Sequence, residues 1–175
     1  MSDISLRVPT TDDAVTWCVL FDDPEVMRYI GDGSCRDQAY YDDLVREEQQ
    51  FAEASGLCLF SVVVDGLVVG FAGVHIWSRP WGPTGRPEIG WRLGREYWSR
   101  GYATEASRSV LGLARECGLP HLVAMVQAGN SASAAVARRL GMTLEQELVS
   151  PEGTPVLQFG LTLTPRGRTF SVVRR

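Results

Sequence analysis

The stretch that most constrains the fold starts at Glu88 and runs to Gly118, and its hydrophobic period changes part-way. Ile89, Trp91 and Leu93 alternate with Gly90, Arg92 and Gly94, the two-residue repeat of a strand with one covered face. From Ala103 the apolar positions fall at Ala103, Ala106, Val110, Leu113 or Ala114 and Cys117, one stripe of an α-helix, and Gly118 and Pro120 then stop it. Between strand and helix lies WSRGYAT, Trp98 to Thr104, where Gly101 can take a backbone angle other residues avoid and Ser99 and Ala103 keep side chains small. A helix start leaves its first N–H groups unpaired and carries the positive end of the dipole. Strand, small-residue turn and helix start together therefore predict a cradle for phosphate or pyrophosphate. Arg92, Arg95 and Arg100 are expected to crowd positive charge around it. A plainer reading stays open, in which Gly101 and Ser99 only shape the start of a helix.

The remaining segments supply partners for this unit. Ile4–Val8 alternates like a strand, and Thr10 or Thr11 ahead of Asp12 and Asp13 opens a helix that reaches about Phe21. Pro24 opens a short turn, and Gly31, Asp32 and Gly33 mark a loop. Arg36–Ala54 has helical spacing, with Tyr40, Tyr41, Leu44, Val45, Phe51 and Ala52 inward and Asp42, Asp43, Glu47 and Glu48 outward. Leu57–Val64 and Leu67–Trp77 are apolar, β-branched runs joined by Asp65-Gly66, a two-residue hairpin signal. Trp77–Pro87 exceeds the about two to five residues of a usual hairpin loop, which makes it either a substrate rim or a plain surface excursion. His121–Gln127 reads as a strand, Asn130 or Ser131 starts an alanine-rich helix ending at Gly141, and Thr143–Val149 and Pro155–Leu163 form a last strand pair. The tail TPRGRTFSVVRR receives no assignment. The expected fold is mixed α/β: a mostly antiparallel sheet of about seven strands with about four helices, forming one domain over residues 1–175. Within it the Glu88 strand, the crossover helix and the His121 strand make a right-handed parallel unit.

Composition narrows the function. With 175 residues, 45% of them hydrophobic, the chain can bury one core and is short for two. A net charge of −4 offers no general attraction for nucleic acid, so an anionic ligand must be drawn by local charge. No run approaches the roughly 20 apolar residues of a membrane span. MSDISLRVPT lacks the basic and apolar regions of a signal peptide, so no membrane partner and a cytoplasmic location are expected. Cys18, Cys35, Cys58 and Cys117 are scattered without a Cys-x-x-Cys pair, which points to neither a metal site nor a disulfide framework, and Cys117 reads as core. His75 and His121, in apolar strand-like surroundings without a nearby partner, read as structural.

The segment EIGWRL…YWSRGYATEA, with Asn130, Ser133 and Leu140–Met142 after it, resembles the Gcn5-related N-acetyltransferases (GNAT), in particular the RimJ/RimL-type branch that acetylates N-terminal amino groups of ribosomal proteins. That family's fingerprint, Gln/Arg-x-x-Gly-x-Gly/Ala, holds the pyrophosphate of acetyl-coenzyme A on backbone amides. Gly101 and Ala103 fit it, Trp98 stands at the Gln/Arg position, Ser99 stands where the branch usually has glycine, and Met142 replaces the usual phenylalanine. The resemblance extends weakly through LRVPTTDDA and DDPEVMRYIG to the N-terminus. It implies that the two parallel strands splay apart and that pantetheine bonds to the backbone around Trp91 and Leu93. It further implies coenzyme contacts from Trp98, Ser99, Arg100, Gly101, Tyr102, Ala103, Thr104 and Asn130, with Arg139 a further candidate for a coenzyme phosphate.

The implied reaction is attack of a neutral amine on a thioester, which needs a proton acceptor, donors for charge developing on the carbonyl oxygen, and an acid for the leaving thiolate. By match to the family, Glu88 is the expected base, directly or through water, and Ser133 the expected acid. Glu88 as a solvated charge at a strand end, Ser133 as an ordinary small residue and Asn130 as a helix cap stay open beside these roles. No tyrosine occurs after Tyr102, which favours serine or water over the tyrosine acid of related families. The acceptor rim is expected from Trp77, Arg79, Trp81 and Arg86 on one side and Met27, Tyr29 and Ile30 on the other. The acceptor is then an amine, on a peptide or protein N-terminus or on a small molecule, and a homodimer is left open. A dinucleotide-dependent oxidoreductase is set aside because Gly-x-Gly-x-x-Gly and its acid about 20 residues on are both missing. A non-catalytic acyl-coenzyme A binding module would keep the cradle and need neither Glu88 nor Ser133.

Overall fold

The computed structural model describes residues 3–164, which leaves the unassigned tail from Pro165 onward outside the described residues. In chain order the elements are β1 (Ile4–Arg7), α1 (Thr11–Phe21), α2 (Pro24–Met27), α3 (Gln38–Ser55), β2 (Leu59–Val64), β3 (Leu67–Ile76), β4 (Pro87–Leu93), α4 (Tyr102–Glu116), β5 (His121–Gln127), α5 (Ser131–Arg139), β6 (Thr143–Val149) and β7 (Pro155–Thr162). A single 3₁₀ turn, Arg95–Tyr97, joins β4 to the turn before α4. The seven strands form one sheet in the order β1-β2-β3-β4-β5-β7-β6, antiparallel throughout except at β4 and β5.

Local chemistry accounts for most boundaries. Asp13, in the first turn of α1, accepts from the Thr10 amide at 2.8 Å and the Ser61 hydroxyl at 2.8 Å and pairs with Arg7, so one buried carboxylate ties β1, α1 and β2 together. Asp65 and Gly66 carry φ of +49° and +83°, the primed turn that suits the twist of a hairpin. Pro24 proves to be the first residue of a one-turn helix, not of a turn alone, because the Asp23 side chain accepts from the Glu25 amide at 2.8 Å. Five helices are therefore present among the described residues where four were expected.

Two apolar layers cover the sheet. On one face Ala106, Val110 and Ala114 of α4 and Ala134 and Ala137 of α5 pack with Phe60, Val62 and Ala72. On the other, Trp17 and Phe21 of α1 and Tyr41 and Val45 of α3 pack on Leu59 and Phe71. Glu48 was expected on the outer side of α3 and is buried instead, accepting from the Leu59 amide at 2.6 Å. The reason is topological: β1 reaches no further along β2 than Ser61, so the Leu59 N–H lacks a strand partner there, and the carboxylate supplies one. Tyr40 is exposed rather than inward, and Cys117 is exposed rather than core because it sits at the C-terminal cap of α4.

Between β4 and β5 the pairing is minimal, a single register contact of Glu88 with Val123. Beyond it the strands separate, and β4 from Gly90 to Leu93 has no ladder partner on that side. The close approach of β2 to β3 offers a test of the packing. A Cβ at Gly73 would lie 1.8 Å from the Cys58 carbonyl oxygen and 2.6 Å from Leu59 Cα, both backbone. Gly73→Ala is expected to destabilise the fold by about 3 kcal/mol or more, read as a lower urea midpoint at unchanged m-value; a midpoint like wild type would show that these strands are not held this closely.

Candidate active site at the splayed strands

A cavity of about 780 Å³ opens where β4, the turn before α4 and the start of α5 converge. Trp91 and Leu93 of β4, then Trp98, Ser99, Gly101, Tyr102, Ala103 and Thr104, and Asn130, Ser133 and Arg139 beyond, all line it. The turn is shaped by two left-handed residues, Ser99 at φ +60° and Gly101 at φ +84°, and the Trp98 indole N–H donates to the Leu93 carbonyl at 2.9 Å, which pins the turn to β4. Among the described residues no protein acceptor takes the N–H of Ser99, Arg100, Gly101, Ala103 or Thr104. Five bare amides around a helix start form an anion cradle.

The basic residues around it are in part those expected. Arg92 borders the cavity although its guanidinium packs on Phe21 and Phe71, Arg95 faces Asp23 at 3.8 Å, and the exposed Arg100 lies outside the cavity lining. Arg139 on α5, expected from the family resemblance, lines the cavity, as do Arg28 and Arg108, which were not expected. Closeness in sequence to the turn did not by itself mean closeness to the cradle.

A second cavity of about 920 Å³ lies on the α1–α3 face, with Glu88, Gly90 and His75 on its floor, Glu48 and Tyr40 on one wall, and Trp77 and Trp81 at its rim. The rim is rigid: the two indoles meet edge to face at 5.0 Å, the Trp77 N–H donates to the Trp81 carbonyl, and Arg79 lies over the Trp77 ring at 5.5 Å. Arg86 and Met27, expected at the rim, do not line it; Met27 is wholly buried under α1 and α3. The two cavities meet, sharing Arg28, Tyr29, Ile30, Trp91, Arg92, Asn130 and Ser133.

Glu88 stands at the strand separation, only 7% exposed. Its Oε1 accepts from the Met125 amide of β5 at 3.2 Å, and its Oε2 lies 2.8 Å from His75 Nε2. His75 is thus not the solitary structural histidine the sequence suggested. A hairpin closed at Trp77 and Arg86 places residue 75 opposite residue 88, and counting outward from that closure would have found the pair. Burial pulls the His75 pKa down, but the hydrogen bond and charge of Glu88, reinforced by Glu48, outweigh it and hold the imidazole above its ordinary value. Desolvation likewise raises the Glu48 carboxyl, offset in part by the Leu59 amide and by His75. His121 does find a structural partner, Glu145 at 2.7 Å.

At the junction of the cavities, Asn130 caps α5 by accepting from the Ser133 amide at 3.1 Å, so the capping role is real and leaves its amide N–H₂ for other contacts. Ser133 faces both cavities. Tyr29, unmarked by any motif, joins them there with its ring against Gly129. Arg92 also borders both; its guanidinium lies 5.1 Å from the ring centres of Phe21 and Phe71 and its Nη1 is 3.7 Å from Met27 Sδ. No carboxylate pairs with it among the described residues, its Nε is sealed without a partner, and burial lowers its pKa. Among the described residues no group of three or more His, Cys, Asp or Glu is placed to hold a metal, and no helix is long and apolar enough to cross a membrane.

Comparison with known proteins agrees with this geometry. Residues 3–143 match the family model described as an acetyltransferase (GNAT) domain. The chain is 28% identical over 110 residues to the uncharacterized N-acetyltransferase p20 of Bacillus licheniformis, covering 62% of this chain and 60% of that protein. It is 30% identical over 133 residues to the uncharacterized protein YkkB of Bacillus subtilis, covering 75% and 76% of the two. In fold it is similar to RimL, a ribosomal L7/L12 α-N-protein acetyltransferase in complex with coenzyme A, with a TM-score of 0.77, 14% identity and coverage of 91% and 94%. At that identity the likeness is one of fold and does not single out the RimJ/RimL-type branch.

The His75–Glu88 pair makes a testable contribution to stability. Since the folded pKa of His75 lies above the ordinary value near 6.5, its stabilisation is complete below about pH 6.5 and is lost as pH rises through the folded pKa. The difference in melting temperature between wild type and His75→Gln should therefore be largest near pH 6 and shrink toward pH 9. A difference that grows with pH would show that the imidazole is held neutral.

Proposed function

The chain belongs to the GNAT acetyltransferase family, and on that premise we propose that it transfers the acetyl group of acetyl-coenzyme A to a primary amine, foremost the α-amine of a peptide or protein N-terminus. The observation that carries this reading is the meeting of an amide-lined cavity and a carboxylate-bearing cavity across β4, beside the buried Glu88. The bare amides of the Ser99–Thr104 turn, with Arg108 and Arg139, suit the coenzyme's pyrophosphate and phosphate, and the unpaired edge of β4 suits an amide-bearing pantetheine arm. That RimL holds coenzyme A on the same fold supports the assignment.

The chain's own groups then divide the work. The thioester supplies an activated acetyl group; the amine nitrogen bonds to its carbonyl carbon as the carbon–sulfur bond breaks. Glu88 keeps lone pairs beyond those taken by Met125 and His75, and it receives the amine proton through a water molecule in the second cavity. His75 holds the Glu88 carboxylate in place through its 2.8 Å contact with Oε2. Ser133 returns a proton to the thiolate, and Tyr29, at the same junction, is the other group able to do so. A neutral amine is required, and α-amines titrate near 7.7–8.0 against about 10.4 for lysine, a difference of roughly 3 kcal/mol in deprotonation at neutral pH. That favours α-amines over lysine side chains and polyamines.

Acetyl-coenzyme A should raise the melting temperature and NAD should not, and Gly101→Glu should abolish the rise by setting a side chain and a negative charge against the amides. No shift at millimolar coenzyme in wild type would sink the cradle. Glu88→Gln should lose about 100-fold or more in kcat/KM at pH 7 and recover as pH passes the amine pKa; an unchanged pH profile would remove Glu88 as base. Ser133→Ala should lower kcat with little change in coenzyme affinity. If Tyr29→Phe does so and Ser133→Ala does not, the acid is Tyr29.

A further inference from the structure

We propose that Arg92 docks a carboxylate of the acceptor, so that the amine acetylated belongs to an acidic molecule: an amino acid with a free α-carboxylate or a chain beginning with Asp or Glu. This rests on the acetyl-transfer reading and names the substrate class of its second cavity.

The other arginines on this side of the molecule are already engaged. Arg28 pairs with Glu25 at 3.6 Å, Arg36 with Asp32 at 2.9 Å, and Arg79 lies on Trp77. Arg92 has no acid within ion-pair distance among the described residues, and it lies over two phenyl faces where the coenzyme and acceptor cavities join. Behind it the protein supplies two rings and the neighbouring Tyr41 hydroxyl rather than an acid, and Nε is sealed without a partner. The counter-charge must come from the cavity side. A fold gains little from a half-buried cation without an acid when an apolar residue would pack on Phe21 and Phe71 as well. Glu88 and Arg92 stand on the same pleat of β4, about 13 Å apart along the backbone. Each side chain covers part of that distance, so one small acceptor can present its amine to Glu88 and its acid to Arg92. A single carboxylate matches a single guanidinium, whereas a dianion would leave charge uncompensated beside Glu88 and Glu48.

The test measures kcat/KM for thiol release with three acceptors: a peptide amide beginning with Asp, the same peptide beginning with Asn, and free Asn. The first carries only a side-chain carboxylate, the second none and the third only an α-carboxylate. At least one acid-bearing acceptor should exceed the Asn peptide by about tenfold or more in wild type, the excess should vanish in Arg92→Met, and Arg92→Lys should restore part of it. No excess in wild type, or an excess that survives in Arg92→Met, overturns the proposal. If no amine releases thiol, the acetyl-transfer reading fails separately, and calorimetry with two monoacids, N-acetylasparagine and N-acetylaspartate α-amide, against N-acetylasparagine amide decides for Arg92. Tighter binding of either acid in wild type alone supports the subsite, and equal binding overturns it. Arg92→Met should unfold cooperatively at a higher melting temperature, since it removes a half-buried charge that has no acid partner; a lower one would make Arg92 a packing element and overturn the proposal.

Discussion

The separation of β4 from β5 after one register contact governs the rest of the site, because a sheet interrupted in its middle leaves backbone groups that must be satisfied by something else. On the β5 side the Met125 N–H is satisfied by the Glu88 carboxylate, so this side chain acts as a wedge that completes the sheet where its ladder stops. On the β4 side the groups past Glu88 have no protein partner in β5 and lie along the first cavity. The residue proposed as the base is thus also what tolerates the gap. Its dual engagement with Met125 and His75 fixes its position without consuming its capacity to accept a proton.

How much of this could be read from the sequence depended on whether the deciding contact was local. The strand, turn and helix from Glu88 to Gly118 showed themselves by a change of period within one segment, and the hairpin at Asp65-Gly66 by its two turn residues. The His75–Glu88 pair did not, since its register is set by the closure of a ten-residue connection. Glu48 was misplaced because its reason for being buried is that β1 is short, a fact about a different element. Counting charge along the chain placed Arg95 and Arg100 by the turn, yet neither lines the cavity, whereas Arg108, which does, comes from a helix face that only the fold brings there. Tyr29 and Arg92 were legible as residue types but not as neighbours across two cavities.

Ser99 illustrates how a departure from a family pattern is absorbed. Its φ of +60° is the reason glycine is usual there, and a serine costs on the order of 1 kcal/mol in that conformation. The Trp98 indole bond to Leu93 and the cap at Gly101 hold the turn on either side of it, so the bare amides keep their direction. Because the Ser99 side chain is exposed, the strain is confined to the backbone and does not disturb the packing beneath.

The two apolar layers lie on opposite faces of the sheet: α4 and α5 build one, with Phe51 and Ala52 at the end of α3 packed against it, and α1 with the rest of α3 builds the other. The first cavity leans on the first layer and the second cavity on the second, and they touch only through β4 and a few residues at their junction. On the proposed function, a lineage can therefore rewrite the acceptor face residue by residue while the cradle for the common co-substrate stays intact. Such a partition makes a fold evolvable: a single donor can be kept while the recipients diversify.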